Sequence, residues 1–320
     1  METRKRGSSH KEKGITEALL RTIIMVIALG IVAYALFVTF ASAPAVGFLT
    51  DIERIFASPH ESAPVQQLSA TAHHHGAAPN ISLTPVHTSN IVDTGYLALI
   101  NRQHPVAIEP SNSLLVAAWP TVPVSFTNGM YLHPTALQAV ANMMNTAQTQ
   151  GIGSLFVSSG FRGLNMQATL YDNGANSNFA LPPGHSEHHT GLAIDILVSG
   201  VSQAQMSNSA GGRWLAGNSY RYGLILRYPQ GTTHITGIDY EPWHFRYVGK
   251  PHAYFMMRNN LVLEEYIELL QKTGGVSFEM KGTTYNILHQ SPSDDMIYLP
   301  TDLEFTVSAD NTGGFIVTAW

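Results

Sequence analysis

The sequence contains no cysteine and few charged residues, which make up only 12% of its 320 positions. Without cysteine, the chain can form no disulfide, no thiolate metal site and no cysteine nucleophile. Any metal must therefore be bound by nitrogen and oxygen atoms. The formal net charge is −5, so we predict no nucleic-acid partner. A hydrophobic content of 44% allows a sizeable core.

One long apolar run lies near the N-terminus, from Thr22 to Phe40, and is long enough to cross a bilayer as a helix. Six basic residues precede it, whereas Asp51 and Glu53, together with Arg54, follow it. This bias predicts a cytoplasmic N-terminus, with the rest of the chain outside the membrane. The residues Ala41 to Ala43 also resemble a signal-peptide cleavage site, so a retained anchor and a removed signal both stay open, and we favour the anchor.

Changes in composition divide the chain into five segments. The stretch after the apolar run is rich in Pro, Ser, Ala, Thr and His, which is typical of a flexible stalk. The following segment mixes strand and helix patterns without a βαβ rhythm, which predicts an α+β domain. The last segment consists of short β-type runs. The predicted segments are a cytoplasmic tail (1–21), a transmembrane anchor (22–42), a stalk (43–90), an α+β domain (91–273) and a small β-rich appendage (274–320).

The stretch "GHSEHHTGLAID", residues 184–195, combines three histidines with two acidic residues. If a strand begins at Gly191, Asp195 points to the same face as two small residues, as in the floor of a cleft. His188 lies one short turn upstream and can fold back towards that face. Imidazole nitrogen and carboxylate oxygen are both good zinc donors. These residues are therefore candidate metal ligands.

A second candidate segment is "YEPWHFRY", residues 240–247. Pro242 keeps Glu241 out of a helix, and His244 could supply a third metal ligand. Three protein ligands would leave the fourth tetrahedral position of zinc open. Glu241, close by but not on the metal, would then act as the general base.

Arg162 ends the strand-like run "SLFVSSGFR" and could bind a free carboxylate with two parallel hydrogen bonds. Together with a zinc site, it would make a carboxypeptidase. The residues alone leave ordinary interpretations open. His188 could be a turn histidine, Glu241 could form an ion pair with Arg246, and Arg162 could cap a helix.

The motifs "SGFRGLNMQ", "PPGHSEHHTGLAID" and "EPWHFRYVG" resemble those of the VanY-type D-alanyl-D-alanine carboxypeptidases, zinc D,D-peptidases of the LAS superfamily. The resemblance extends from about Tyr96 to Leu270. It implies an antiparallel sheet flanked by helices, with a zinc cleft on the concave side of the sheet. The roles that it implies are Zn²⁺ ligands (His188, Asp195, His244), a catalytic base (Glu241) and substrate-binding residues (Arg162, Gln167, Ser186).

The resemblance also implies the reaction, which is removal of the terminal D-Ala from peptidoglycan stem peptides ending in D-Ala-D-Ala, outside the membrane. Two alternatives stay open: a D,D- or L,D-endopeptidase on the same fold, and a non-catalytic cell-wall-binding protein. The remaining histidines of this region are expected to be structural or to lie at the surface (His185, His189, His234, His252).

Overall fold

The computed structural model describes residues 66–67, 81–107, 114–118, 129–153, 155–172 and 179–320. The chain divides into two compact units, Met1–Glu61 and Ser62–Trp320, and every described residue lies in the second unit. The predicted transmembrane anchor at 22–42 lies outside the described residues. Within the described ranges, no helix has the length and apolar character needed to cross a bilayer.

Helices and strands follow one another without a regular alternation. The helices of the described chain are α1 (Pro134–Thr149), α2 (Leu164–Asp172), α3 (Ala210–Asn218), α4 (Thr233–Thr236), α5 (Lys250–Asn259) and α6 (Leu263–Thr273). Its strands are β1 (Gln66–Gln67), β2 (Leu83–His87), β3 (Val116–Ala117), β4 (Tyr131–Leu132), β5 (Leu155–Ser159), β6 (Ala193–Val198), β7 (Leu224–Leu226), β8 (His244–Tyr247), β9 (Gly275–Met280), β10 (Thr283–Gln290), β11 (Met296–Pro300), β12 (Phe305–Ala309) and β13 (Phe315–Ala319).

The central layer is a four-stranded antiparallel sheet in the order β5-β6-β8-β7. Ile194 and Ile196 on β6 are fully buried in a core shared with the apolar face of α1. This alternation along β6 was predicted from the sequence, and it leaves Asp195 on the opposite face. Helix α1 begins at Pro134, as predicted, because proline is favoured in the first turn, where its missing N–H costs nothing.

A second antiparallel sheet contains most of the C-terminal segment, in the order β1-β9-β10-β13-β12. Val276, Ile287 and Ile316 from this sheet share a buried core with residues of α5 and α6, such as Phe255 and Leu270. The C-terminal sheet is therefore packed onto the helices that follow the central sheet. Both sheets are antiparallel and combine with helices, which confirms the predicted α+β class.

The structure differs from the expected stalk at its C-terminal end. Strand β2, residues Leu83–His87, pairs with β11 in an antiparallel ribbon, although it lies in the range assigned to the stalk. Leu83 and Val86 pack against a buried cluster that includes Leu288 and Ile297. This burial orders a segment whose composition alone favoured a flexible linker. The other segment boundaries stay a prediction.

Candidate metal centre

Strand pairing brings two of the predicted ligands together. Asp195 on β6 and His244 on β8 lie directly opposite each other in the antiparallel register. Residues opposed in this way point to the same face of a sheet. As a result, Asp195 Oδ1 lies 3.1 Å from His244 Nδ1.

A short 3₁₀ turn, Glu187–Thr190, brings the third predicted ligand to the same place. The hydroxyl of Ser186 caps this turn by accepting a hydrogen bond from the His188 N–H at 3.3 Å. Gly191 ends it with a φ of 69°, and a Cβ atom there would lie 2.6 Å from a side-chain carbon of Leu115, so this position requires glycine. His188 folds back as predicted, and its Nε2 lies 3.5 Å from Asp195 Oδ2.

The hydrogen bonds of His188 determine which of its ring nitrogens is free. Its Nδ1 lies 2.6 Å from the Gly160 carbonyl oxygen, which can only accept, so Nδ1 carries the hydrogen and Nε2 keeps a lone pair. One ligand atom each from His188, Asp195 and His244 lies within 4.8 Å of the other two. Asp195 Oδ1 has no hydrogen-bond partner among the described residues. Converging acceptor atoms of this kind, two imidazoles and a carboxylate, fit a divalent cation.

The electrostatics of these residues lead to the same conclusion. Burial favours the neutral form of Asp195, but the neighbouring His188 and His244 outweigh it and hold the pKa of this carboxyl well below its usual range. Burial also disfavours the charged form of His244, but contacts with Asp195 and Glu187 raise its pKa to about 9. These residues therefore favour a positive charge between them. A proton and a metal ion compete for that position.

Glu241 lies beside the three ligands. Its Oε2 is 3.6 Å from His244 Nδ1, and only 5% of the residue is exposed. Its backbone N–H donates to the Tyr228 carbonyl oxygen, which fixes the start of the segment that contains His244. Burial raises the pKa of Glu241 to about 8, although the nearby His244 opposes the shift. A carboxylate with a pKa near neutrality can both accept and return a proton.

The three predicted ligands, Glu241 and the predicted substrate-binding residues line one cavity of about 680 Å³. Arg162 follows β5. Its backbone N–H donates to the His188 carbonyl oxygen at 3.1 Å, which connects Arg162 to the 3₁₀ turn that contains His188. Gln167 on α2 donates from Nε2 to the Leu181 carbonyl oxygen at 2.6 Å. The structure therefore places all seven predicted residues around the same cavity, while their individual roles stay predictions.

Two of the predicted substrate-binding residues each have a polar atom without a partner. Arg162 Nε and Gln167 Oε1 are buried and form no hydrogen bond to any described residue. Buried polar atoms of proteins are nearly always paired, so an unpaired donor and an unpaired acceptor lining one cavity indicate a polar ligand. Other parts of the lining are apolar (Leu170, Phe179, Leu181, Ile238).

The sequence analysis missed Glu187, whose side chain is fully buried beneath the ligands. Its Oε1 contacts Arg227 Nε at 2.8 Å and Arg246 Nη1 at 3.1 Å, and its Oε2 lies 3.5 Å from His244 Nε2. Arg246 therefore contacts Glu187, in contrast to the ion pair with Glu241 that the sequence left open. The runs "LILRY" and "HFRYV" could have indicated a buried carboxylate, because an arginine inside a buried strand needs such a partner.

The other histidines of this region lie outside the three-residue cluster. His189 is fully buried, and its Nδ1 donates to the Arg162 carbonyl oxygen at 2.6 Å while its Nε2 accepts from the Gly184 N–H. His252 bridges Tyr266 and Thr318 through its two ring nitrogens. Both therefore hold backbone and side chains in place. His234 is exposed.

A cation site of two imidazoles and one carboxylate, with a further carboxylate beside it in a cavity, is an arrangement typical of metallohydrolases. Comparison with known proteins defines the family. The VanY family model, described as D-alanyl-D-alanine carboxypeptidase, matches residues 129–250. A D-alanyl-D-alanine carboxypeptidase of Enterococcus faecium is 36% identical over 241 residues, which cover 73% of this chain and 78% of the relative.

Two further relatives agree. The bifunctional D-Ala-D-Ala dipeptidase and D-Ala-D-Ala carboxypeptidase VanXYC of Enterococcus gallinarum is 32% identical over 189 residues, covering 55% of this chain and 96% of the relative. The solved structure of the D,D-dipeptidase VanXYg, in complex with a D-Ala-D-Ala phosphinate analogue, matches with a TM-score of 0.64 and 26% identity, covering 75% of this chain and 99% of that chain. The chain belongs to the VanY family of D-alanyl-D-alanine carboxypeptidases, which are hydrolases.

Proposed function

We propose that this protein is a zinc-dependent D,D-carboxypeptidase that removes the terminal D-Ala from peptidoglycan stem peptides. The observation that carries the proposal is the convergence of His188, Asp195 and His244 beside Glu241, in the cavity that Arg162 also lines. Membership of the VanY family supports the substrate class.

The donor set favours zinc over other common cations. Two imidazoles and one carboxylate, with no thiolate in the chain, form a three-ligand set suited to catalytic zinc, whereas magnesium and calcium prefer oxygen ligands. When bound, zinc supplies Lewis-acid polarisation of the scissile carbonyl and of the attacking water.

The residues of the chain supply the remaining steps. The Arg162 guanidinium binds the free carboxylate of the terminal D-Ala, and its unpaired Nε is available for this contact. Gln167 offers its unpaired Oε1 to a donor of the substrate, and Ser186 lies in the same lining. Glu241 accepts a proton from the attacking water and passes it to the leaving amine.

The test uses the purified full chain loaded with zinc and a stem pentapeptide ending in D-Ala-D-Ala. We expect mass spectrometry to show loss of one alanine and no shortening of a tetrapeptide. Release of the dipeptide unit, or cleavage of cross-linked muropeptides in place of the pentapeptide, would instead support a dipeptidase or an endopeptidase. Zinc binding without any peptide cleavage would support a cell-wall-binding protein.

We also propose an extracytoplasmic location with an N-terminal membrane anchor. The support is the uncharged run from Thr22 to Phe40 and the basic residues before it. The proposal predicts that alkaline carbonate leaves the protein in the membrane fraction and that external protease digests it in intact spheroplasts. Protection from external protease would contradict it.

A further inference from the structure

The buried carboxylate of Glu187 lies against the ring nitrogen of His244 that points away from the metal ligands. His244 approaches Asp195 with Nδ1 and Glu187 with Nε2, and the second separation is 3.5 Å. Neither His244 Nε2 nor Glu187 Oε2 has a hydrogen-bond partner in the described part of the chain. A buried donor and a buried acceptor, both otherwise unpaired, therefore face each other. A modest closure of the gap would satisfy both atoms.

The other oxygen of Glu187 is occupied by two arginines, Arg227 at 2.8 Å and Arg246 at 3.1 Å. Both arginines are 0% exposed. This pairing fixes the position of the carboxylate and leaves Oε2 to face His244. A carboxylate is an acceptor only, so a metal ion bound at Nδ1 would leave the hydrogen of His244 on Nε2, where it faces Glu187.

The contacts continue to helix α6. Arg227 binds Glu264 through two parallel hydrogen bonds of 2.8 and 2.6 Å, the geometry that holds a guanidinium most firmly. Glu264 lies in the first turn of α6, and the same helix contributes Leu270 to the core that it shares with the C-terminal sheet. A continuous chain of contacts thus connects His244 to that helix through Glu187, Arg227 and Glu264.

We propose that Glu187 is a positioning residue that orients His244 for metal binding, and that the Arg227–Glu264 pair holds Glu187 in place from α6. The proposal rests on the proposed function in that zinc is the metal. Its direct consequence concerns metal affinity and not turnover. A purely structural ion cluster would lower the stability of the fold and leave the metal affinity of the folded protein unchanged.

The test compares Glu187→Gln with the wild-type protein after removal of metal. Zinc affinity is measured by competition with a chromophoric chelator, and the ligand geometry by the visible absorption of the Co²⁺-substituted protein. Loss of a carboxylate that orients a metal-binding histidine typically weakens metal binding about 10- to 100-fold, and we expect a loss in this range together with an altered Co²⁺ spectrum. Far-ultraviolet circular dichroism checks that the variant is folded.

The matched control is Glu268→Gln, which removes an exposed carboxylate on the same helix as Glu264, paired there only with exposed Lys272. Its zinc affinity should equal that of the wild type. If folded Glu187→Gln binds zinc as tightly as this control and gives the wild-type Co²⁺ spectrum, the proposal is overturned.

A second variant decides the matter if Glu187→Gln does not fold, because that substitution leaves two buried arginines with less negative charge nearby. Glu264→Gln changes only the partly exposed end of the network, whose side chain is 14% exposed. We expect its zinc affinity to lie between those of the control and Glu187→Gln, and equality with the control would overturn the proposal. Tight zinc binding without peptide cleavage in the wild type would refute the proposed function and leave the positioning role intact.

Discussion

The cavity region and the C-terminal sheet differ in whether their buried polar side chains have hydrogen-bond partners. Directly after β12 of the C-terminal sheet, Asp310 accepts hydrogen bonds from two backbone N–H groups and contacts His289 at 2.8 Å. Thr318 likewise pairs with His252 at 2.9 Å. Around the cavity, buried side-chain atoms lack partners, and every such atom in the described chain belongs to a residue between Arg162 and Arg246.

The contrast separates structural histidines from candidate metal ligands. His252 uses both ring nitrogens for protein hydrogen bonds and has none left for a ligand. His188 uses only Nδ1 for a protein hydrogen bond. Its Nε2 carries a lone pair and faces the Asp195 carboxylate, to which it has no hydrogen to donate. Unpaired buried polar groups cost stability, and proteins retain them where a ligand supplies the missing partner. The predictions below challenge this contrast, beginning with the largest expected effect.

Replacing Glu241 with alanine should abolish most turnover and leave zinc bound, because Glu241 lies beside the ligands without being one of them. General acid–base groups contribute about 10²- to 10⁴-fold, so D-alanine release should fall by that factor while zinc analysis still finds one ion per chain. Glu268→Ala is the control, since it removes an exposed glutamate, and its rate should be unchanged. Turnover of Glu241→Ala within about threefold of the wild type would remove its role as the base.

Replacing Arg162 with alanine should chiefly affect substrates with a free C-terminal carboxylate. Hydrogen bonds to charged groups contribute about 1.5–3 kcal/mol, so kcat/KM for the free pentapeptide should fall about 10- to 100-fold. The weak activity on an amidated peptide should not change. Arg213→Ala, which removes an exposed arginine outside the cavity lining, serves as the control. Equal losses on both peptides would show that Arg162 has another task.

The sequence indicated which residues meet at the cavity, while their roles stay predictions. His188, Asp195 and His244 could be named as candidate ligands because alternation along one strand and a resemblance in short motifs both depend on local residues. Glu187 was missed, since its importance comes from Arg227 and Arg246, which meet it only after the sheet has formed. Pairing between distant segments is not encoded in local pattern.

Strand β2 shows the same limit. Its residues have the composition of a linker, and only pairing with β11 and burial of Leu83 and Val86 give it order. The helix at Pro134 was predicted well for the opposite reason, because its start depends on capping and proline chemistry within one turn.

Replacing His252 with glutamine should lower the free energy of unfolding by about 1–3 kcal/mol, because Tyr266 or Thr318 loses its buried partner. Zinc affinity and turnover of the folded variant should stay at wild-type values. Chemical denaturation measures the free energy of unfolding. His234→Gln, at an exposed position, is the matched control and should change stability by less than about 0.5 kcal/mol. Loss of zinc from folded His252→Gln would break the contrast between the two classes of histidine.

The same residue also predicts a pH-dependent effect on stability. Burial lowers the pKa of His252 to about 3 from the ordinary value of 6.5, so below pH 6.5 the unfolded chain binds a proton that the folded chain does not. Its contribution therefore destabilises the protein as the pH falls from 6.5 towards 3, by at most about 1.4 kcal/mol per pH unit. His252→Gln should show a shallower acid slope than His234→Gln in denaturation curves, and identical slopes would contradict the assigned burial effect.

The most direct test of the account is zinc K-edge X-ray absorption of the purified full chain, combined with metal analysis. The account predicts one zinc ion per chain bound by two imidazoles and one carboxylate, with zinc lost from His188→Ala and from His244→Ala. Stoichiometric zinc with an unchanged spectrum in both variants would contradict it.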